Sequence, residues 1–257
     1  MLMPQRYFIK LAFDGSQYHG WQMQHNALSI EYRINEALST LLRQQIKVTG
    51  CGRTDTGVHA EIFYAHFDSE QIITDESKAA YNLNSLLPCD IVIDKIFKVR
   101  PDAHARFTAV KRTYKYYINA KHSPFSRNYE YFFNRELDTG LMNEACALLL
   151  QHKNFSCFSK SHTQVNNYLC NIFEARWETI DSRHIFTITA NRFLRNMVRA
   201  IVGTMLDIGM HKISLDDFKN ILENGSRSDA GMSVPAQGLF LTEVMYPDDF
   251  SNKCVQG

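Results

Sequence analysis

Arg53 and Asp55 stand two positions apart in Gly50-Cys51-Gly52-Arg53-Thr54-Asp55-Thr56-Gly57-Val58-His59, a stretch bracketed by glycines. Glycine admits backbone angles that other residues avoid, so such a loop can project short polar side chains from the end of a sheet. A carboxylate beside a cation keeps its charge and is ready to act as nucleophile or base. Thr54, between the two, can bond locally and hold the turn. Spacing alone also fits a plainer structure, an Asp-Thr-Gly hairpin turn stabilised by its own side chains.

His59-Ala60-Glu61 has the H-x-E form of a zinc nucleobase deaminase. That site also needs P-C-x-x-C, and the one Pro-Cys pair, Pro88-Cys89, is followed by Asp90-Ile91-Val92. Zinc would lack a closed ligand set. The expectation is therefore no metal.

Two other stretches carry chemistry. In residues 105–118, Lys111, Arg112 and Lys115 are interleaved with Tyr114, Tyr116 and Tyr117. Cations grip phosphates and aromatic rings stack on unpaired bases; an exposed strand with half-buried tyrosines would look the same. In residues 192–209, Arg192, Arg195 and Arg199 fall at i, i+3 and i+7. On one helix they would form a single cationic stripe suited to phosphate, with Phe193, Leu194, Met197, Val198 and Ile201 on the buried side. A core helix with a solvated basic edge is the plainer alternative.

The elements that must position these residues follow from periodicity. Residues 7–14 read as a strand ended by Asp14-Gly15. Ile30, Ile34, Ala37, Leu38, Leu41 and Leu42 make an amphipathic helix over 29–45, with Ser29 as its cap. Residues 45–50 enter the opening loop as a strand and 60–69 leave it as another, Phe63, Ala65 and Phe67 sharing a face. A helix stopped at Pro88 and a strand over 90–99 complete strand-helix-strand-strand-helix-strand, the ferredoxin-like order. From Thr108 a second series follows. It has a strand at 113–120, a helix at 140–152 and strands at 172–180 and 184–190 around Asp181-Ser182. A long helix over 192–209, a helix capped by Ser214 and a final strand at 239–246 complete it. No low-complexity linker separates the series, so the expected domains are 1–104 and 105–257, packed tightly.

The chain has 257 residues, 45% hydrophobic and 21% charged, which suffices for a sizeable core. A net charge of +1 does not announce a nucleic-acid binder, but charge is patterned. Between Arg100 and Glu130 seven Lys and Arg stand against two acids. The six cysteines, at 51, 89, 146, 157, 170 and 254, include no C-x-x-C and read as reduced thiols of a cytoplasmic protein. No long apolar stretch precedes Asp14, and no apolar run approaches a membrane span.

"GRTDTGVHA", "RFTAVKRTYKYYI", "FLRNMVRAIVGTMLDIG" and "VPAQGLFL", in this order, resemble the TruA-type tRNA pseudouridine synthases. "FDGSQYHGWQ", "NSLLPCDI" and "HKNFSCF" are similar to that family too. The resemblance implies an α+β pseudouridine synthase fold: two ferredoxin-like halves sharing a large mixed, mostly antiparallel sheet with a central cleft. It implies isomerisation of uridine to pseudouridine on the 3′ side of the tRNA anticodon stem-loop, with no cofactor and no metal, by a homodimer whose two subunits both touch each tRNA. Asp55 matches the catalytic aspartate, whose point of attack (ribose C1′, uracil C6 or a ribose proton) the sequence leaves open. Arg53 matches a residue that fills the space of the flipped base. Tyr114 matches a tyrosine that stacks on uracil, Arg199 a partner of Asp55, and Leu239 an apolar pocket wall. Arg192, Arg195, Lys111 and Arg112 are expected to bind the RNA. Departures are Glu31, where the family commonly has glutamine, Ala103 in place of an aromatic and Asn154 in place of aspartate. The rival readings are a silent RNA-binding protein of the same fold, which the presence of Asp55 opposes, and a generic α+β enzyme for a small anionic substrate.

Overall fold

A computed structural model of the chain describes residues 4–160, 167–248 and 250. Cys254 lies outside the described residues. The chain is α+β and divides into two compact units, 1–110 with 241–257, and 111–240.

In the first unit the order is β1 (Gln5–Phe13), α1 (Ile30–Leu42), β2 (Thr49–Gly50), β3 (His59–Ser69), α2 (Glu76–Leu86) and β4 (Ile91–Lys98). The expected ferredoxin-like order is present. β1 pairs antiparallel with both β3 and β4, and β2 pairs antiparallel with β3. The spatial order β4-β1-β3-β2 is what two crossover helices on one face require. β2 is two residues long, much shorter than the strand expected over 45–50; Val48 instead donates its N–H to the side chain of Asn35 in α1 at 2.8 Å. Tyr7, Ile9 and Leu11 of β1 and Phe63, Ala65 and Phe67 of β3 are buried, as are Ile30, Ile34 and Leu38 of α1. The helices begin where side chains cap them: Ser29 Oγ accepts the Tyr32 N–H and Asp75 Oδ1 the Lys78 N–H.

The second unit contains β5 (Lys111–Asn119), β6 (Tyr131–Phe132), α3 (Thr139–Gln151), β7 (Ile172–Ile180), β8 (Arg183–Ala190), α4 (Met197–Gly209) and α5 (Leu215–Asn224). β8 pairs antiparallel with β5 and β7, and β6 runs parallel to β5. Tyr116, Phe186 and Trp177 lie opposite one another across these three strands and point to one face. Trp177 Nε1 donates to Met205 Sδ of α4 at 3.1 Å, so α4 covers that face. The side chain of Asn143 in α3 brackets Trp177, accepting its N–H at 2.8 Å and donating to its carbonyl at 3.1 Å. That satisfies backbone groups on β7, the outer strand of the β5-β8-β7 set. The last strand, β9 (Leu239–Met245), begins in this unit and continues in the first, where it lies beside β3. Among the described residues, no helix is long and apolar enough to cross a membrane.

His66 on β3 is buried, accepts the Ala105 N–H on Nδ1 at 3.2 Å and lies 4.5 Å, ring to ring, from His104. Burial, then the charges of His104 and Arg6, lowers its pKa to about 4. The unfolded chain binds this proton near the ordinary value of 6.5 and the folded chain does not. Stability should therefore rise with pH between about 4 and 6.5, and be lost as pH falls through that window. In urea unfolding across this range, His66→Gln should flatten the dependence by up to roughly 3 kcal/mol.

Candidate active site

Residues 51–58 leave β2 and return to β3 without a ladder of their own. The segment 14–21 holds them through its backbone. Trp21 donates its N–H to Thr54 O at 3.4 Å, and Gly57 donates to Tyr18 O at 3.2 Å. Within the loop Val58 donates to Asp55 O at 3.2 Å. Gly15 N lies 3.1 Å from Nδ1 of the buried His59, which also lies 3.1 Å from Asp14 Oδ1. Tyr18 is fixed at its far end, where its hydroxyl donates to Asp90 Oδ1 at 2.6 Å. Burial, then this bond, raises the Tyr18 pKa, which keeps the phenol protonated. Asp90 also accepts the Asp14 N–H on its carbonyl at 2.9 Å. The Pro88-Cys89-Asp90 stretch is thus an anchor for the loop.

The glycines act differently from one another. Gly57 has φ +78° and makes a turn that other residues strain to adopt. Gly50 has no positive φ; a Cβ there would lie 2.6 Å from the Trp21 ring, which stacks on Phe63 at 4.1 Å. Gly52 has neither demand. Gly20, outside the motif, has φ +85° and would place a Cβ 2.2 Å from Thr54 O. Thr54 holds the turn through that carbonyl, because its hydroxyl is buried without a hydrogen-bond partner. The result is a pinned loop with Arg53 exposed and Asp55 half-exposed.

In the second unit, residues 231–238 are clamped onto α4. Gly231 donates to Thr204 Oγ1 at 2.8 Å, and a Cβ on Gly203 would lie 1.7 Å from Met232 O. Arg199 and Val234 bond reciprocally: Arg199 Nε donates to Val234 O at 2.7 Å and Val234 donates to Arg199 O at 3.2 Å. The Tyr116 hydroxyl donates to the next carbonyl, Pro235 O, at 2.7 Å. Burial raises the Tyr116 pKa, the Arg199 charge acting the other way. Gly238 is required there, since a Cβ would come within 2.8 Å of the Tyr116 ring, and buried Leu239 follows it. On the same face of β5, Tyr114 meets Phe193 edge-on at 5.1 Å.

Residues 145–247 match the family model described as tRNA pseudouridine synthase. The tRNA pseudouridine synthase A of Bacteroides fragilis is 51% identical over 246 residues, covering 95% of this chain and 98% of its own. That of Bacteroides thetaiotaomicron is 49% identical, with 95% and 92% covered. That of Clostridium acetobutylicum is 38% identical, with 93% and 98% covered. The chain belongs to the tRNA pseudouridine synthase A family.

For this family member, one expectation about the cationic stretches needs correction. Arg192 and Arg195 do not extend α4, so they form no helical stripe with Arg199. Asn196 has φ +66°, a left-handed conformation incompatible with continuing the helix, and its side chain donates to Ser233 Oγ at 2.5 Å. α4 is also a core helix: eleven of its thirteen residues are buried, leaving only Arg199 and Asp207 partly exposed. Arg192 donates to Asn167 O at 3.1 Å, and Arg195 is exposed. On β5, Arg112 lies on the Tyr114 face and donates to Asn191 O at 2.8 Å. Lys111 and Lys115 lie on the other face, Lys111 sitting 4.9 Å above the Phe173 ring. Arg112 and Lys111 therefore lie on opposite faces of β5.

Sequence reasoning missed Tyr18, Trp21 and Gly20 as braces of the loop, and Phe193 as the neighbour of Tyr114. Tyr18, Gly20 and Trp21 form one cluster in the sequence, but their target is set only by the fold.

Gly20→Ala should lower stability by at least about 2 kcal/mol, because it combines a strained φ with a backbone clash. Gly52→Ala should stay within about 0.5 kcal/mol of the parent. Thermal or urea unfolding of both variants checks the pair.

Proposed function

We propose that this chain isomerises uridine to pseudouridine in tRNA, in the anticodon stem-loop, with Asp55 as the carboxylate that acts on the target nucleotide. The carrying observation is the pinned loop. Backbone hydrogen bonds from Trp21 and Gly57 fix its path, while Asp55 stays half-exposed and Arg53 exposed beside it. A preorganised carboxylate that spends no energy on ordering at the moment of reaction is what a nucleophile or base requires.

The reaction is atom-balanced without a cofactor. The bond between uracil N1 and ribose C1′ breaks, uracil turns, and C5 bonds to C1′. The C5 proton leaves and N1 ends protonated. A base inside a helix is out of reach, so the uridine must be extruded. Arg53, exposed next to Asp55, is suited to fill the vacated stack. Tyr114, braced edge-on by Phe193, supplies a flat face for uracil, and Leu239 an apolar wall. Arg199 is assigned as the charge partner of Asp55. Its Nε bond to Val234 O fixes the guanidinium plane, which suits directional pairing. Arg195 and Arg192, outside the helix, serve as phosphate contacts, with Arg112 on the Tyr114 face. We assign the working form as a cytoplasmic homodimer in which two near-neutral copies bring their basic residues to one tRNA.

Asp55→Asn should lower the single-turnover rate by at least about a thousandfold while tRNA affinity stays within a few-fold. Full turnover by that variant would exclude the assignment. Arg199→Ala should chiefly lower the saturated rate, since a charge loses its partner. Arg192→Ala and Arg195→Ala should instead weaken binding and reduce its salt slope by about one unit each. Binding at several salt concentrations, with single-turnover kinetics, separates the two behaviours.

A further inference from the structure

The first turn of α1 is joined to the Asp55 loop by a strap, residues 20–23. Ile30 donates its N–H to Gly20 O at 3.3 Å and Glu31 donates to Trp21 O at 3.0 Å. These carbonyls satisfy N–H groups that a helix start leaves open. The Glu31 side chain completes the grip: its Oε2 accepts the Met23 N–H at 2.6 Å. Strap residues Gly20 and Trp21 then meet the loop, Trp21 by its N–H on Thr54 O and Gly20 by direct backbone contact. Thr54 lies between Arg53 and Asp55. Only two backbone steps therefore separate the Glu31–Met23 bond from the Trp21–Thr54 bond. Met23 itself is exposed and the next residue, Gln24, bonds back to His19 O at 3.1 Å, so the Glu31 bond is what ties this end of the strap to α1.

We propose that Glu31 is a positioning residue of the pseudouridine synthase reaction: by clamping Met23 it fixes the strap that sets the register of Arg53-Thr54-Asp55. The inference rests on the assignment of Asp55 as the catalytic carboxylate. What the position needs is an acceptor at this reach from α1. A carboxylate and a carboxamide both supply one, and a methyl group does not. Burial raises the pKa of Glu31, opposed by the Met23 bond and by the Arg53 charge, so the carboxylate is close enough to the loop to sense its cation. A partly desolvated carboxylate also makes a stronger bond to a backbone N–H than a solvated one.

The test compares the parent with Glu31→Ala, Glu31→Gln, Glu31→Asp and Asp55→Asn. The readouts are single-turnover rate at saturating tRNA, tRNA affinity, and amide hydrogen exchange at Trp21 and Met23. Glu31→Ala should react about tenfold more slowly with affinity within about twofold, and lose protection at both amides. Glu31→Asp, which withdraws the carboxylate by one methylene, should behave like Ala. Glu31→Gln should keep the protection and stay within about threefold of the parental rate, which a requirement for charge would not allow. The inference is overturned if Glu31→Ala reacts at the parental rate, if Glu31→Gln is as slow as Ala, or if the loss appears only in affinity. Turnover by Asp55→Asn would instead remove the underlying assignment. An inactive Asp55→Asn beside an unimpaired Glu31→Ala would sink this inference alone.

Discussion

The carbonyl of Thr54 accepts the Trp21 N–H and lies where a Cβ on Gly20 would be 2.2 Å away, so two backbones meet there with no side chain between them. A loop that leaves a two-residue strand has little ladder to define it. Contact between backbones defines it instead, because main-chain atoms have fewer ways to rearrange than side chains. The constraint spreads outward from this point. Trp21 must stack on Phe63, which requires Gly50 beneath its ring. Tyr18 must reach Asp90, which ties the loop to the end of α2. Position 55 is thereby fixed by residues from four separate stretches of sequence.

The second unit uses the same device for a different purpose. Gly203 and Thr204 of α4 let residues 231–232 approach the helix backbone, where any larger residue at 203 would block them. Val234 and Pro235 are then in place to receive Arg199 and Tyr116 on successive carbonyls. Small residues on α4 thus decide where a cation one helical turn away is held. This explains why α4 is buried nearly all round although one turn of it carries an arginine. A helix covered by sheet on one side and by a clamped segment on another has no free face for a stripe.

Most elements were legible because their signals are local. Hydrophobic periodicity located α1, α2, α3 and α5, and alternation located β3, β4, β7 and β8 to within a few residues. The N-caps Ser29 and Ser214 were legible for the same reason: a cap is a contact across three positions. The failures are those where a distant partner decides. Arg192 to Asn196 have helical spacing, yet Ser233, far along the chain, pairs with Asn196 in a left-handed turn. Residues 45–48 have strand composition, yet Asn35 takes the Val48 N–H. Within the site, the motif singled out Arg53 and Asp55, but the role of each glycine was not readable. Gly57 serves a turn, Gly50 a ring and Gly52 neither, and only the neighbours in space distinguish them.

The same logic sorts the cations, which a net charge of +1 conceals. Arg192, Arg112 and Arg199 all donate to backbone carbonyls. They differ in which nitrogen is engaged. Arg112 and Arg192 bond through a terminal nitrogen, Nη1, so the bond lies at the far edge of the guanidinium. Arg199 bonds through Nε, at the root of the fork, so its plane is set. A planar fork anchored at its root is preorganised for a carboxylate in a way that a lysine ammonium, with no second point of attachment, is not. The clamped carbonyl of Val234 therefore fixes the plane in which Arg199 can bond, whereas a lysine ammonium at that position would have no such plane.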